Sequence, residues 1–265
     1  MAQTINILFI GDIIGKAGFE AVQMLLKPLL EKHSITFCIA NGENTTDGKG
    51  LSEDDARKLF GLGIHVITGG NHTWDRWDSR KVLGSNRNIL RPLNYPRENG
   101  GNGYVIYELP GGVKAGVINI QGRTFMYPLD DPFRAVEHAI TKIHEQTKII
   151  FIDFHAEATA EKMAMGWFVD GRASVLAGTH THTPTADGRI LPRGTAYITD
   201  VGMTGPYDSV MGMKKEPALQ RFLKQTPHKY EPASNDVHFC GVVAEVDVQT
   251  GRTLRFEQIL MPKFS

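Results

Sequence analysis

The run GTHTH places two histidines, His180 and His182, two residues apart, directly after the apolar stretch 174–178. Two imidazoles this close together after a glycine are seldom buried in a core without a function, although burial as a packed pair is the structural alternative. Imidazole nitrogen is a common ligand of transition metals in proteins. The run therefore predicts two metal ligands at the end of a strand.

Four other apolar runs are also followed by side chains that can donate oxygen or nitrogen to a metal. They are Asp12 after 5–10, Glu43 and Asn44 after 36–40, Asn71 and His72 after 65–68, and His155 after 148–154. In open α/β sheets, ligands bind beyond the carboxyl ends of the strands. Taken singly, each residue has a structural explanation, as a helix cap, a solvated loop carboxylate, a turn residue or a core imidazole. Together they predict one crevice where five strands end.

The residue types select the kind of metal. Imidazole with carboxylate and without thiolate suits iron, manganese or zinc better than calcium or magnesium. The two cysteines, Cys38 and Cys240, lie in apolar stretches and are predicted to be buried free thiols. Three histidines, two acids and two asparagines are too many ligands for one tetrahedral ion, so they predict two ions that share a carboxylate, about 3.5–4 Å apart.

The glycine-rich run GDIIGKAG (11–18) is not a phosphate loop. Only three residues separate Gly11 from Gly15, where a P-loop has four, and Lys16 is followed by Ala17 rather than by serine or threonine. The run also lacks the spacing of the dinucleotide fingerprint. It is interpreted as a tight turn that presents the carboxylate of Asp12.

The elements that position these residues alternate between short apolar strands and amphipathic helices. Helices are predicted over 17–31 with a kink at Pro28, over 52–63 with Ser52 as the cap, and over 131–143 with Asp131 as the cap. A hairpin is predicted from 103–109 and 113–122, and antiparallel strands from 194–202, 237–248 and 253–261. The chain is therefore predicted to form one α/β domain, 1–265, with a mixed sheet or two stacked sheets.

Composition limits the class of function. The 29 basic residues balance the 29 acidic ones, which disfavours stable nucleic-acid binding and favours a small substrate. No apolar stretch approaches the length of about 20 residues that crosses a bilayer, so no membrane contact is expected. The first residues lack the pattern of a signal peptide, and a cytoplasmic location is predicted.

Several of these motifs resemble those of the calcineurin-like metallophosphoesterases. GGNHTWD, FHAE and GTHTH correspond to the Gly-Asn-His block, the lone histidine and the Gly-His-x-His block of that superfamily. Two departures stand out, because Ile14 replaces the histidine of the early Asp-x-His block and Glu43 within NGEN replaces the usual bridging aspartate. Together with GDIIGKAG and GTHTHTPTAD, these features resemble the YmdB-type bacterial branch, over residues 11–187.

The resemblance implies a fold and a ligand set. The fold is the four-layer α/β/β/α sandwich of the metallophosphoesterases. The ligand set divides between two ions that share Glu43: Asp12, Glu43, Asn44 and His182 at one, and Glu43, Asn71, His155 and His180 at the other. Asn44 takes the place of the missing histidine. Two ions per chain are implied, iron first, with manganese as the alternative and zinc also compatible.

The resemblance also implies an activity, which is hydrolysis of small cyclic nucleotides of the 2′,3′-cyclic AMP type by a hydroxide that bridges the two ions. His72 follows Asn71 directly, so it is predicted to lie near the ions and to act as the general acid. The alternative is an imidazole that orients another group. Two other functions stay open: a metallophosphatase with a different phosphoester substrate, and a non-catalytic or slow regulatory protein that senses a metal or a nucleotide. The expected partner is a small phosphodiester, and a homo-oligomer is possible.

Overall fold

The computed structural model describes residues 3–264, which form twelve strands and six helices. The first half of the chain contains β1 (Thr4–Ile10), α1 (Gly15–Lys32), β2 (Phe37–Asn41), α2 (Glu53–Gly61), β3 (Val66–Thr68), α3 (Ser79–Ser85), β4 (Tyr104–Glu108) and β5 (Lys114–Gln121). The second half contains α4 (Pro132–His144), β6 (Ile150–His155), α5 (Thr159–Val169), β7 (Val175–Thr179), β8 (Arg189–Ile190), β9 (Ala196–Ile198), β10 (Gly205–Pro206), α6 (Lys215–Lys224), β11 (Val237–Asp247) and β12 (Thr253–Met261).

The first sheet is built on three parallel strands, β1, β2 and β3. Their register pairs Ile7 with Phe37 and Ile39 with Val66. β11 runs antiparallel to β1 on the other side and carries the antiparallel β12 and the short β10. Because α1 and α2 connect parallel strands, the carboxyl ends of β1, β2 and β3 lie at the same edge of the sheet.

The second sheet has the order β4-β5-β6-β7-β9-β8. β5, β6, β7 and β9 are parallel to one another, and β4 and β8 are antiparallel edge strands. The register aligns Gln121 of β5, His155 of β6 and Thr179 of β7 in one row at the carboxyl ends. His155 is therefore the last residue of its strand and faces the same edge as its neighbours.

Three apolar cores separate four layers. The central core lies between the two sheets, where Phe9 of β1 contacts Phe151 of β6 with ring centroids 4.8 Å apart. A second core packs α1 and α2 on the outer face of the first sheet, and a third packs α4 and α5 on the outer face of the second. The central parallel strands β2, β3, β6 and β7 are buried on both faces, which explains their continuous apolar runs. The predicted α/β/β/α sandwich is confirmed, and the single domain over 1–265 stays a prediction.

The helix caps follow the predicted chemistry. Ser52 Oγ accepts a hydrogen bond from the backbone N–H of Asp55 at 3.1 Å, and the Asp131 carboxylate accepts one from the N–H of Phe133 at 2.9 Å. α1 begins at Gly15, two residues earlier than predicted, and continues through Pro28 to Lys32. The hairpins β4–β5 and β11–β12 are both present as predicted. Cys38 and Cys240 are free and buried.

The structure corrects the prediction for 194–202. Only Ala196–Ile198 forms a strand there. It pairs antiparallel with β8, as predicted, but parallel with β7 on its other side. The strand is short because the Asp200 carboxylate accepts the backbone N–H of Gly202 at 2.9 Å, which turns the chain. Helices α3, α5 and α6 have no counterpart in the prediction.

Within the described residues, none of the helices combines the length and apolar character that crossing a membrane requires.

Candidate metal centre

The predicted ligands meet where the carboxyl ends of the two sheets face each other. The first sheet supplies Asp12, Glu43, Asn44 and Asn71 from the turns after β1, β2 and β3, and the second supplies His155, His180 and His182 from β6 and the turn after β7. His180 and His182 both have positive φ, 98° and 63°. Non-glycine residues seldom adopt this conformation, so the turn is held by its interactions rather than by local preference.

Glu43 is the central residue of the cluster and is almost fully buried. Its Oε1 lies 3.1 Å from His155 Nε2 and accepts a hydrogen bond from Asn44 Nδ2 at 3.2 Å. Its Oε2 accepts the backbone N–H of His72 at 2.9 Å. A Cβ atom on Gly70 would clash with both Glu43 Oε2 and His155 Nε2, so only glycine fits beside this carboxylate.

On one side of Glu43, polar atoms converge on the buried ring of His155. Its Nε2 lies 2.8 Å from Asn71 Oδ1 and 3.1 Å from His180 Nδ1. Its Nδ1 pairs with Thr179 Oγ1 at 3.0 Å, which fixes the orientation of the ring. His155, Asn71 and His180 therefore direct nitrogen and oxygen atoms at a common point next to Glu43.

On the other side of Glu43, the cluster contains Asp12, Asn44 and His182. His182 Nε2 lies 3.4 Å from Asn44 Nδ2 and 3.7 Å from Asp12 Oδ1, and its Nδ1 lies 3.1 Å from the carbonyl oxygen of Met211. Asp12 Oδ2 accepts the backbone N–H of His180 at 3.3 Å. Among the described residues, Asp12 Oδ1 is buried and has no hydrogen-bond donor.

Burial and mutual charge shift the pKa values of these groups. Burial raises the pKa of Asp12. Burial also opposes ionisation of Glu43, but the charge of His155 and its hydrogen bond lower the pKa of Glu43 to about 2. The same pairing overcomes burial and raises the pKa of His155 to about 9, while burial and the charge of His155 lower the pKa of His180 to about 3.

The donor set fits metal ions. Ligand atoms of Asp12, Glu43 and His155 all lie within 4.8 Å of one another. A buried carboxylate oxygen without a hydrogen-bond donor costs free energy unless a cation neutralises it. The contacts divide into two groups that share Glu43, and these are the two ligand sets that the resemblance implies. The structure thus brings all seven residues together, and their binding of metal stays a prediction.

His72 lies at the outer edge of this cluster, with its side chain 28% exposed. Its backbone N–H is held by Glu43, and its Nδ1 lies 2.8 Å from Asp75 Oδ2. Asp75 has no role in the sequence-based prediction, although it ends the quoted run GGNHTWD. Because Nδ1 is the ring nitrogen that pairs with Asp75, Nε2 is left without a contact to the Asp75 carboxylate.

A second residue that the sequence reasoning missed is Asp153, which lies beneath the ligands. It is fully buried in β6 and accepts hydrogen bonds from Asn41 Nδ2 at 3.0 Å and Thr179 Oγ1 at 2.6 Å, and from the hydroxyl of Thr68. Asn41 and Thr68 belong to the first sheet, so these bonds join the two sheets. Burial raises the pKa of Asp153 to about 7. The signal in the sequence was a carboxylate inside the apolar run KIIFIDF.

The turn that carries His180 and His182 is fixed by a buried ion pair. Lys162 on α5 is fully buried, and its Nζ donates to Asp200 Oδ2 and to the carbonyl oxygen of Thr179, both at 2.7 Å. Asp200 Oδ2 also accepts the backbone N–H of Thr181 at 3.1 Å. Lys162 had no signal in the sequence, because a single lysine in an amphipathic segment is normally exposed.

Comparisons with known proteins place this chain in a family. The family model described as "YmdB-like protein" matches residues 8–259. The chain is 47% identical over 256 residues to a protein of Bacillus subtilis strain 168 named 2′,3′-cyclic-nucleotide 2′-phosphodiesterase, with 97% of each chain covered. A crystal structure described as a novel phosphatase from Mycoplasma pneumoniae superposes with a TM-score of 0.93 at 36% identity, covering 98% of this chain and 94% of that one. A hypothetical protein from Thermus thermophilus gives a TM-score of 0.89 at 39% identity, covering 97% and 98%. On sequence and structure together, this chain belongs to the YmdB-like family.

Proposed function

We propose that this protein is a metal-dependent phosphodiesterase that hydrolyses small cyclic nucleotides of the 2′,3′-cyclic AMP type. The observation that carries the proposal is the pair of ligand groups sharing Glu43 at the facing ends of two sheets, with the buried Asp12 Oδ1 lacking a hydrogen-bond donor. The name of the Bacillus subtilis relative supports the substrate class.

The residues that would hold two ions are those of the two groups. Asp12, Glu43, Asn44 and His182 would bind one, and Glu43, Asn71, His155 and His180 the other. Imidazole, carboxylate and amide ligands without thiolate suit iron, manganese or zinc, and the family resemblance puts iron first. When bound, two such ions lower the pKa of water and neutralise charge on phosphoryl oxygens.

His72 supplies proton transfer in this proposal. In this proposal the Asp75 carboxylate accepts a hydrogen bond from His72 Nδ1–H, which leaves Nε2–H to donate its proton to the leaving oxygen. The ring is partly exposed, so a substrate can reach it. His72 is held beside the ligands by its own backbone N–H on Glu43, which fixes the distance between the acid and the centre.

A second candidate function is hydrolysis of phosphomonoesters at the same site. The description of the Mycoplasma pneumoniae structure as a phosphatase favours it. The two candidates share the ligands and His72, and they differ in whether the substrate phosphorus carries one ester bond or two.

The test is turnover of 2′,3′-cyclic AMP by the purified protein, with 2′-AMP and 3′-AMP as phosphomonoester comparisons and metal content measured on the same sample. We expect about two transition-metal ions per chain and kcat of about 1 s⁻¹ or more on the cyclic substrate. An Asp12→Asn variant should lose metal and activity together. Hydrolysis of the monoesters alone would select the phosphatase, and two bound ions with no turnover of any phosphoester would overturn both proposals.

A further inference from the structure

An open cavity of about 390 Å³ adjoins the candidate metal centre. Its volume falls in the range of about 300–1,000 Å³ that is typical of small-molecule sites. The residues that line it are Asn71, Phe125, Met126, Tyr127, Pro128 and His180. Two of these, Asn71 and His180, belong to the ligand group around His155, so the cavity and the centre share a wall.

The other wall carries two aromatic rings that are almost fully exposed. Phe125 is 88% exposed and Tyr127 is 74% exposed, and only Met126 separates them in the chain. Exposed aromatic rings do not gain the free energy that burial of their apolar surface provides, and exposed apolar patches often mark binding sites. Phe125 also has a φ of 62°, a conformation that costs energy for any residue with a side chain. Exposure and backbone strain at one position indicate a binding role.

The segment 122–131 that presents these rings is anchored at both ends, and we refer to it as the aromatic loop. The backbone N–H groups of Arg123 and Thr124 donate to the Glu161 carboxylate at 3.1 and 3.2 Å. The Arg123 guanidinium donates to Asp131 at 3.0 Å. These bonds fix the loop on α4 and α5, and they leave the two rings to face the cavity.

We propose that Phe125 and Tyr127 form a stacking platform for the base of a nucleotide whose phosphodiester lies at the candidate metal centre. The identity of the ligand rests on the proposed function. Aromatic side chains stack on any base, because every base has a π face. The cavity on this side offers mainly apolar atoms of Phe125, Met126, Tyr127 and Pro128. The platform should therefore accept all four bases, with purines held more tightly because their larger faces cover more of the rings.

A second copy of this chain is the competing occupant of the aromatic loop. The cavity that the loop lines has Asn71 and His180 in its opposite wall, so an occupant of the cavity reaches the candidate metal centre, which favours a small ligand. The oligomeric state therefore enters the test as a measurement.

The test compares two substrates with the same cyclic phosphodiester, 2′,3′-cyclic AMP and methyl riboside 2′,3′-cyclic phosphate, which has no base. For Phe125→Ala and Tyr127→Ala we expect the ratio of kcat/KM between the two substrates to fall about tenfold each, mainly through KM. Phe125→Trp should preserve the ratio. The matched control is Phe222→Ala on α6, an aromatic ring that is 70% exposed, and it should preserve the ratio as well.

A second readout does not depend on turnover. Titration of the metal-loaded protein with 3′-AMP, followed calorimetrically, should show weaker binding for Phe125→Ala than for Phe222→Ala. The stacking platform would be overturned if both loop variants kept the wild-type kcat/KM ratio and the wild-type affinity for 3′-AMP. It would also be overturned if those variants changed the sedimentation velocity, and so the oligomeric state, without changing the kcat/KM ratio. If wild-type protein hydrolyses neither substrate but binds 3′-AMP in a manner that depends on Phe125, the platform stands and the phosphodiesterase proposal fails.

Discussion

At the scale of single residues, His72 is distinguished from the predicted ligands by its contacts. It touches Glu43 only through its backbone, and its ring pairs with Asp75. We expect His72→Ala to retain its metal and to lower kcat on 2′,3′-cyclic AMP by about 10²- to 10⁴-fold, the usual contribution of a general acid. Metal analysis and steady-state kinetics on one sample provide the measurement.

The control for this variant is His138→Ala, which removes an exposed imidazole from α4. It should change neither metal content nor kcat. Loss of metal in His72→Ala would identify His72 as a ligand, and unchanged kcat would leave it the role of an orienting imidazole.

The raised pKa of His155 predicts how the metal-free protein responds to pH. Its pKa is about 9 in the folded state against 6.5 for the free side chain. The folded state therefore binds a proton that the unfolded state releases, and stability falls as pH rises from 6.5 through 9. The raised pKa of Asp153 has the same sign, but its effect lies mainly below this range, between pH 3.8 and about 7. With chelator present, we expect denaturation to show a loss of about 3 kcal/mol across this range.

Bound metal should abolish this loss of stability, because an ion binds neutral imidazole and competes with the proton. The same pH series with excess manganese should therefore show no loss between pH 6.5 and 9. A His155→Gln variant removes the titrating group and should flatten the curve of the chelated protein. Equal slopes in chelated wild type and in this variant would contradict the assignment of the effect to His155.

At the scale of elements, the turn after β7 depends on α5 through the buried pair of Lys162 and Asp200. Breaking a buried ion pair by removing one partner costs about 3–5 kcal/mol, because the other charge stays buried. We expect Lys162→Met to lower the free energy of unfolding by this amount. It should also weaken metal binding, since the turn carries His180 and His182.

Guanidinium denaturation and metal titration measure the two effects. Lys224→Met, at an exposed lysine on α6, is the control and should behave as wild type. Adding Asp200→Asn to Lys162→Met should restore part of the lost stability, because the neutral amide no longer needs a counter-charge. A denaturation midpoint equal to that of wild type in the single variant would show that the pair contributes nothing to the turn.

The same elements show what the sequence could predict. Strands buried on both faces leave continuous apolar runs, and a polar residue at the end of each run marks the edge of a sheet. The cluster of polar side chains after β1, β2, β3, β6 and β7 could therefore be predicted, and their role as metal ligands stays a prediction. Helix α5 was missed because Lys162 interrupts its apolar face, and α6 because Ala218 is its one buried residue. Asp153 and Lys162 act through partners distant in the chain, and no local pattern records such partners.

At the scale of the whole molecule, the candidate metal centre lies between the two sheets, which also meet through an apolar core and through buried hydrogen bonds. Asp12, Glu43 and Asn71 follow strands of the first sheet, while His155 and His180 belong to the second. Beneath them, Asp153 of the second sheet accepts hydrogen bonds from Asn41 and Thr68 of the first. Ions bound between these groups would therefore resist separation of the sheets.

Metal removal should accordingly lower the stability of the entire fold. A ligand present at 100 times its Kd stabilises the folded state by about 2.7 kcal/mol, which corresponds to about 5–10 °C in Tm for a chain of this size. We expect chelator to lower Tm by this amount and manganese to restore it. Asp12→Asn in the first sheet and His155→Gln in the second should each abolish the metal-dependent shift, because an ion needs ligands from both. Hydrogen exchange on chelation should rise at the carboxyl ends of β2 and of β6 together, whereas a rise confined to one sheet would mean that the ions bind one side and do not join the two.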